Sequence, residues 1–127
     1  MIKGRQECGT NSIIMKWSEL SSIDQIDQIR KESTEKPILI FKFSSRCSLS
    51  RMALDRLERN WKETEMTGIK PYFLDLITYR EISNRIAHVF EVEHESPQVL
   101  IIENEKSIFD QSHMGIDYQE IRAAVNS

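Results

Sequence analysis

The chain has 127 residues, of which 29% are charged and 39% hydrophobic, and its formal net charge at pH 7 is −3. This length allows one domain with a hydrophobic core but not two ordinary domains, and the composition is that of a globular protein. The small negative charge gives no reason to expect nucleic acid or an anionic membrane as a partner, and no apolar stretch approaches the roughly 20 residues that span a bilayer.

The N-terminal residues differ in character from the rest of the chain. Residues 1–14 are mostly polar, and we expect them to be a disordered extension before a folded domain of residues 15–127. They include basic residues but no following apolar block, so we expect no secretory signal. The two cysteines, Cys8 and Cys47, do not form a disulfide framework, and a reducing, cytoplasmic location suits them better than secretion. We interpret Cys8, within the polar extension, as incidental.

The first half of the chain alternates between predicted helices and buried strands. Apolar residues at helical spacing predict helices over about residues 22–33 and 47–62. Continuous apolar runs at residues 38–43 and 71–76 predict central strands that are covered on both faces. In the second helix we expect these residues to face inward: Leu49, Met52, Ala53, Leu57 and Trp61.

The second half of the chain predicts a different strand connection. A third helix is expected over about residues 78–90, followed by strands at 98–102 and 107–111 and a last helix that starts near Asp117. The alternating first half implies parallel pairing, whereas the short connection between the last two strands implies an antiparallel hairpin. A mixed central sheet flanked by helices satisfies this order, which is that of an α/β, thioredoxin-like fold.

Cys47 lies where a buried strand ends and a predicted helix begins, within residues 41–50, Phe-Lys-Phe-Ser-Ser-Arg-Cys-Ser-Leu-Ser. The free N–H groups and positive dipole end of a helix favour a thiolate. The adjacent Arg46 and the polar neighbour Ser48 are expected to stabilise the thiolate further. Three residues after the cysteine, where a dithiol oxidoreductase has its second cysteine, stands Ser50. The pattern therefore predicts one activated, nucleophilic thiol rather than an inert core cysteine.

Other candidate residues leave alternatives open. The Ser50 hydroxyl could donate a hydrogen bond to the thiolate, or it could bond to the backbone or to solvent. The three histidines, His88, His94 and His113, share no metal-ligand spacing with either cysteine, so we predict no metal site. His113 lies in a late loop that could approach the active-site end of the sheet, although a surface position is the simpler interpretation. A Cys–His hydrolase is not supported by any motif.

The active-site segment resembles a known family. Residues 41–50, followed by Met52-Ala53-Leu54, are similar to the monothiol bacilliredoxins of the YtxJ-like family. The likeness covers about residues 15–126 and also includes Trp17, Leu20, Tyr72-Phe73-Leu74-Asp75 and Ser96-Pro97-Gln98. The resemblance implies that Cys47 is the nucleophile and that Ser50 takes the place of an absent resolving cysteine. It also implies that Pro97 is a cis-proline facing the active site, and that Ser96 and Pro97 bind substrate.

The resemblance implies a thiol–disulfide oxidoreductase that removes bacillithiol, a glucosamine-containing small thiol, from S-bacillithiolated proteins. Bacillithiol is then a co-substrate rather than a bound cofactor, and the partners are this thiol and the thiolated client proteins. The residues themselves do not distinguish bacillithiol from another small thiol. Two alternatives remain open: a thioredoxin-fold sensing or binding module whose cysteine is modified without turnover, and a structural protein that has lost its chemistry. A Cys47 pKa near the free value of about 8.5 would favour the last.

Overall fold

The apolar run at residues 38–43 forms the central strand of a five-stranded sheet in the computed structural model, which describes residues 16–126. The strands are β1 (Ser18–Glu19), β2 (Ile38–Phe43), β3 (Lys70–Asp75), β4 (Gln98–Glu103) and β5 (Lys106–Ser112). The helices are α1 (Asp24–Glu32), α2 (Ser48–Asn60), α3 (Arg80–Phe90) and α4 (Tyr118–Val125). Short 3₁₀ turns lie at Glu63–Glu65 and His113–Gly115. The predictions for residues 1–14 and for Cys8 lie outside the described residues and remain predictions.

The strand order is β1-β3-β2-β4-β5, and the pairing changes from parallel to antiparallel at β2. Strands β1 and β2 both run parallel to β3, whereas β2 with β4 and β4 with β5 are antiparallel. This arrangement confirms the mixed α/β sheet that the order of elements predicts. The antiparallel pairing of β2 with β4 brings the end of β2, which leads to Cys47, beside the start of β4, which follows Pro97.

The edge strand β1 has no counterpart in the sequence prediction. Ser18 and Glu19 pair with Tyr72 and Phe73 of β3, and the Leu20 N–H donates to the Phe73 carbonyl oxygen at 2.9 Å. Two residues are too few to show a hydrophobic period, so this strand is evident only from its pairing with the edge of β3.

Each face of the sheet is covered by two helices and forms its own hydrophobic core. On one face, α2 and α4 pack against Leu39, Phe41 and Phe43 of β2. On the other face, α1 and α3 pack against Ile38 and Ile40. Because side chains alternate along a strand and both faces are covered, the apolar run of β2 is continuous. Within residues 16–126 no helix is both long enough and apolar enough to cross a membrane.

The inward face of α2 is rotated relative to the predicted one. Leu49 and Met52, which are predicted to face inward, are 37% and 54% exposed. Ser50 is buried instead, because its hydroxyl oxygen accepts a hydrogen bond from the Ser44 N–H at 3.2 Å. Positions three, four and seven residues further along a helix share its face. The buried stripe of α2 therefore consists of Ser50, Ala53, Leu54 and Leu57.

Lys42 is a charged residue on the central strand, and it is fully buried. Alternation along β2 places its side chain on the face covered by α1 and α3. The Lys42 Nζ donates to the carbonyl oxygen of Ser83 at 3.3 Å and lies 3.4 Å from the Nδ1 of His94. Burial lowers the pKa of Lys42 from 10.5 to about 8. This lysine therefore carries a desolvation cost that an apolar residue would not.

We expect Lys42→Met to change how stability depends on pH. Because the pKa of Lys42 is lower in the folded chain, the folded state binds fewer protons, and the free energy of unfolding rises as pH rises from about 8 to 10.5. That difference in pKa corresponds to about 3 kcal/mol. In the variant, this increase in the free energy of unfolding with pH is absent. The variant is at least as stable as the wild type at pH 7, because methionine has a similar volume and no charge to desolvate. Urea denaturation at pH 7 and pH 10 measures both effects, and an identical pH dependence in the two proteins would contradict the expectation.

Candidate active site

Cys47 is the N-cap residue of α2 and is half-buried. Its backbone is extended, with φ −117° and ψ 118°, and the helix begins at the next residue. The preceding turn is held by the Cys47 N–H, which donates to the Ser44 carbonyl oxygen at 3.1 Å, and by the Arg46 N–H, which donates to the Ser44 Oγ at 3.3 Å. Cys47 is the one cysteine among residues 16–126, and its thiol is free. The predicted strand-to-helix junction is confirmed.

Hydrogen-bond donors of the helix N-terminus lower the pKa of the Cys47 thiol below its ordinary value. The Ser50 backbone N–H contributes most, whereas desolvation opposes it by raising the pKa. The Leu49 N–H and the Ser50 hydroxyl lower the pKa further. These donors stabilise the thiolate, which is the form that attacks a disulfide sulfur. A lowered pKa argues against the alternative in which the chain keeps an unactivated thiol.

Ser50 combines the two roles that the sequence leaves open. The residue is fully buried, and its hydroxyl oxygen accepts from the Ser44 N–H at 3.2 Å. A hydroxyl that accepts one hydrogen bond still has its own proton to donate. The same hydroxyl is among the groups that lower the pKa of Cys47. Its proton is therefore available to the thiolate, while its oxygen accepts the hydrogen bond from the Ser44 N–H.

Arg46 and Ser48 flank the cysteine, yet both residues are exposed. Neither is among the groups that lower the pKa of the Cys47 thiol, which are the donors of residues 49 and 50. An exposed guanidinium is screened by water and contributes little to the charge of a nearby group. Their role as thiolate-stabilising residues therefore stays a prediction.

The segment around Pro97 lies at the same end of the sheet as Cys47. The antiparallel register places Lys42 opposite Gln98, so that Pro97 follows beside the end of β2. The Ser96–Pro97 peptide bond is cis, as the family resemblance implies. The Ser96 Oγ is buried and has no hydrogen-bond partner among residues 16–126.

His113 contacts this segment, so its loop does approach the active-site end of the sheet. Its backbone N–H donates to the Pro97 carbonyl oxygen at 2.9 Å, and its Nε2 lies 3.1 Å from the Oε1 of Glu95. Arg56 of α2 also binds this loop, because its guanidinium donates to the Ile116 carbonyl oxygen at 2.8 Å. The Pro97 segment, the loop after β5 and helix α2, which begins after Cys47, are thus linked by hydrogen bonds.

Sequence reasoning missed the polar residues that support this arrangement, namely Lys42, His94, Glu95 and Arg56. The sequence offered one indication of this cluster, the lysine at position 42 within an otherwise apolar strand. No sequence pattern indicated a role for His94, Glu95 or Arg56. Among the described residues, no group of three or more histidine, cysteine, aspartate or glutamate side chains could hold a metal ion.

We expect Ser50→Ala to raise the pKa of the Cys47 thiol, because the hydroxyl donor is lost while the backbone donors remain. At pH values below that pKa, alkylation of Cys47 should slow by roughly two- to tenfold, as for the loss of one hydrogen bond. The pH profile of iodoacetamide labelling, in a Cys8→Ser background, measures the shift. Ser45→Ala is the matched control, because Ser45 is an exposed serine of the same turn. A midpoint that moves equally in both variants would contradict the role of Ser50.

Solved structures share this topology. A candidate oxidoreductase with a thioredoxin fold is 30% identical in sequence, and the match covers 84% of this chain and 90% of that protein with a TM-score of 0.70. The thioredoxin of Malassezia sympodialis, Mala s 13, is 18% identical over 93% of this chain and 96% of its own, with a TM-score of 0.67. Fasciola hepatica thioredoxin is 17% identical over 85% and 95% of the two chains, with a TM-score of 0.63. The two thioredoxins, at these identities, show the fold alone.

The family model of the monothiol bacilliredoxins, BrxC, matches residues 18–121. This range contains the turn before α2, Cys47, Ser50, the Pro97 segment and the loop that carries His113. Serine at position 50 is consistent with the description of this family as monothiol. The chain therefore belongs to the monothiol bacilliredoxin family and is a thiol redox protein with a thioredoxin fold.

Proposed function

We propose that this protein is an oxidoreductase that removes bacillithiol from S-bacillithiolated proteins by thiol–disulfide exchange at Cys47. The observation that carries the proposal is the half-buried thiol at the N-terminus of α2, whose pKa the donors of Ser50 and Leu49 lower. Membership of the monothiol bacilliredoxin family supports bacillithiol as the small thiol. Ser50 at the position of a second cysteine supports a reaction that uses one sulfur of the enzyme.

The first step is the attack of the Cys47 thiolate on the bacillithiol sulfur of the mixed disulfide. A Cys47–bacillithiol S–S bond forms as the S–S bond to the client protein breaks, and the client cysteine leaves as a thiolate that takes a proton from water. In the second step, the thiolate of a free bacillithiol attacks the bacillithiol sulfur on Cys47. Bacillithiol disulfide forms and the Cys47 thiolate is released. Because Ser50 cannot form a disulfide, Cys47 stays capped until this second thiol, or a reductase, arrives.

Ser96 and Pro97 are the proposed contact for the client protein. Their segment lies beside the end of β2, and the Ser96 hydroxyl has no partner within residues 16–126. An extended client segment could pair with the backbone of Ser96, which would make recognition depend little on client sequence. Such pairing would hold the attacking, central and leaving sulfurs in line.

The proposed partners follow from this chemistry. They are bacillithiol as co-substrate and proteins that carry it on a cysteine, and the reaction requires no bound cofactor. A reduced thiol pool must be present to release Cys47, and the cytoplasm provides one. We therefore propose a cytoplasmic location.

Transfer of bacillithiol to Cys47 tests the proposal. Reduced protein in a Cys8→Ser background is mixed with a bacillithiol-capped test protein, and both are followed by intact-mass spectrometry. We expect one bacillithiol to move to Cys47 and to leave again when free bacillithiol is added. Cys47→Ser should show no transfer while keeping its fold, because serine is a favoured N-cap residue.

The outcomes separate the alternatives. A thiol that reacts with alkylating agents but takes no bacillithiol would overturn the proposal. A cap that transfers to Cys47 but is not released by free thiol would instead favour the sensing module without turnover. A glutathione-capped test protein serves as the matched control for the identity of the small thiol, and equal rates with both caps would contradict a preference for bacillithiol.

Restoring a second thiol provides an independent check on the one-cysteine reaction. We expect Ser50→Cys to form an intramolecular disulfide with Cys47 on oxidation with diamide, because positions 47 and 50 lie one turn apart at the start of α2. Thiol counting by mass after alkylation measures the result in the Cys8→Ser background. Two free thiols after oxidation would show that the two side chains do not meet.

A further inference from the structure

We propose that buried Lys42 and half-buried His94 form a tether that holds the Glu93–Pro97 segment in place, which makes Lys42 a positioning residue for exchange at Cys47. The expected effect of the tether on the rate of exchange depends on the proposed function. Its effect on the segment itself is a separate property of the fold and is measured separately below.

The tether is a set of three side chains that meet beneath the segment. The Lys42 Nζ lies 3.4 Å from the His94 Nδ1, and the Ser83 Oγ lies 3.1 Å from the same nitrogen. The Lys42 Nζ also donates to the Ser83 carbonyl oxygen of α3 at 3.3 Å. An ammonium can only donate, so Nδ1 of His94 accepts and the ring proton lies on Nε2. His94 is therefore held from β2 and from α3 at once.

The charge of Lys42 has no carboxylate partner at ion-pair distance among residues 16–126. The groups that face it are the neutral acceptors of Ser83 and His94. Burial lowers the pKa of His94, and the charges of Lys42 and Arg80 lower it further, whereas Glu95 opposes them. A buried ammonium without a counter-charge costs stability, and an apolar residue of similar volume would avoid that cost. Stability therefore does not account for a lysine at this position.

The neighbouring residues connect the tether to the substrate segment. Gln98 is the register partner of Lys42, and its Nε2 donates to the Glu93 carbonyl oxygen at 3.0 Å. Its Oε1 is buried without a hydrogen-bond partner in the described part of the chain. Gln98 thus contacts Glu93, and Lys42 contacts His94. Both contacts lie a few residues before Ser96 and Pro97 in the chain.

Lys42 acts on the segment and not on the thiol. The groups that set the pKa of Cys47 are the donors of residues 49 and 50, and Lys42 is not among them. Loss of the ammonium should therefore leave the reactivity of the thiolate unchanged while the segment that receives the client becomes less ordered. Catalysis by alignment is sensitive to such changes, since a displacement of about 1 Å can cost on the order of a hundredfold in rate.

Lys42→Met tests the tether, with Lys70→Met as the matched control. Lys70 is a lysine of the same sheet at the opposite end of β2, where it pairs with Ile38 in register and with Glu32 through an ion pair of 2.9 Å. The first measurement is amide hydrogen exchange of residues 93–98 and of His113, whose N–H donates to the Pro97 carbonyl oxygen. We expect roughly tenfold faster exchange in Lys42→Met and no change in Lys70→Met.

The second measurement is the rate of bacillithiol transfer from a capped protein. We expect kcat/KM to fall on the order of tenfold in Lys42→Met, with an unchanged pH profile of Cys47 alkylation and no loss of stability at pH 7. The ratio of wild-type to variant rates should shrink as pH rises above 8, because the pKa of Lys42 is about 8 and a neutral amine is a weaker hydrogen-bond donor than an ammonium. A residue with a merely structural role would lower stability and would not produce this pH dependence.

Unchanged hydrogen exchange at residues 93–98 and His113 would overturn the tether. Faster hydrogen exchange with an unchanged transfer rate would overturn the positioning role. A transfer rate that falls together with a shift of the Cys47 alkylation profile would also overturn it, because Lys42 would then act on the thiol. If the wild type transfers no bacillithiol, the proposed function fails, and hydrogen exchange alone still decides whether the tether exists.

Discussion

The hydrogen bond from the Ser44 N–H to the Ser50 hydroxyl oxygen is the contact on which the site depends. At 3.2 Å it joins buried Ser44, the first residue after β2, to the first turn of α2. An unpaired buried N–H would cost about 1–3 kcal/mol, and Ser50 is the polar member of a buried stripe that also holds Ala53, Leu54 and Leu57 and fixes the rotation of the helix. The same rotation holds Cys47 at the N-cap, where backbone donors stabilise its thiolate. The hydroxyl of Ser50 thereby links the turn after β2 to the helix that begins after Cys47.

The two faces of the sheet support the site in different ways. Beneath the side of α2 lies an aromatic cluster, in which the ring centroid of Trp17 is 6.0 Å from that of Phe41 and 5.8 Å from that of Phe73. Such edge-to-face packing adds to the hydrophobic core on the face of the sheet that α2 covers. On the opposite face, the polar cluster of Lys42 and His94 lies beneath the segment that precedes Pro97. The nucleophile is thus supported by packing, whereas the segment proposed to receive the client is supported by directional polar contacts.

The loops around the cysteine are linked to one another rather than left independent. Arg56 joins α2 to the loop after β5, and His113 of that loop joins the Pro97 segment through its backbone and through Glu95. These contacts connect helix α2, the loop after β5 and the Pro97 segment into one hydrogen-bonded unit.

The sequence by itself determined the order of elements, the mixed sheet and the position of Cys47 at a strand-to-helix junction. These features depend on local apolar periodicity and on the run at residues 38–43, which a buried central strand requires. Only the tertiary structure decided which face of α2 is buried, that residues 18–19 form a strand, and that Lys42, His94 and His113 meet the Pro97 segment. The physical reason is that these features depend on packing and pairing between separate elements. The buried face of α2 depends on the sheet beneath it, residues 18–19 pair with β3, and Lys42 meets His94 across 52 positions of the chain, so a local sequence pattern does not predict them.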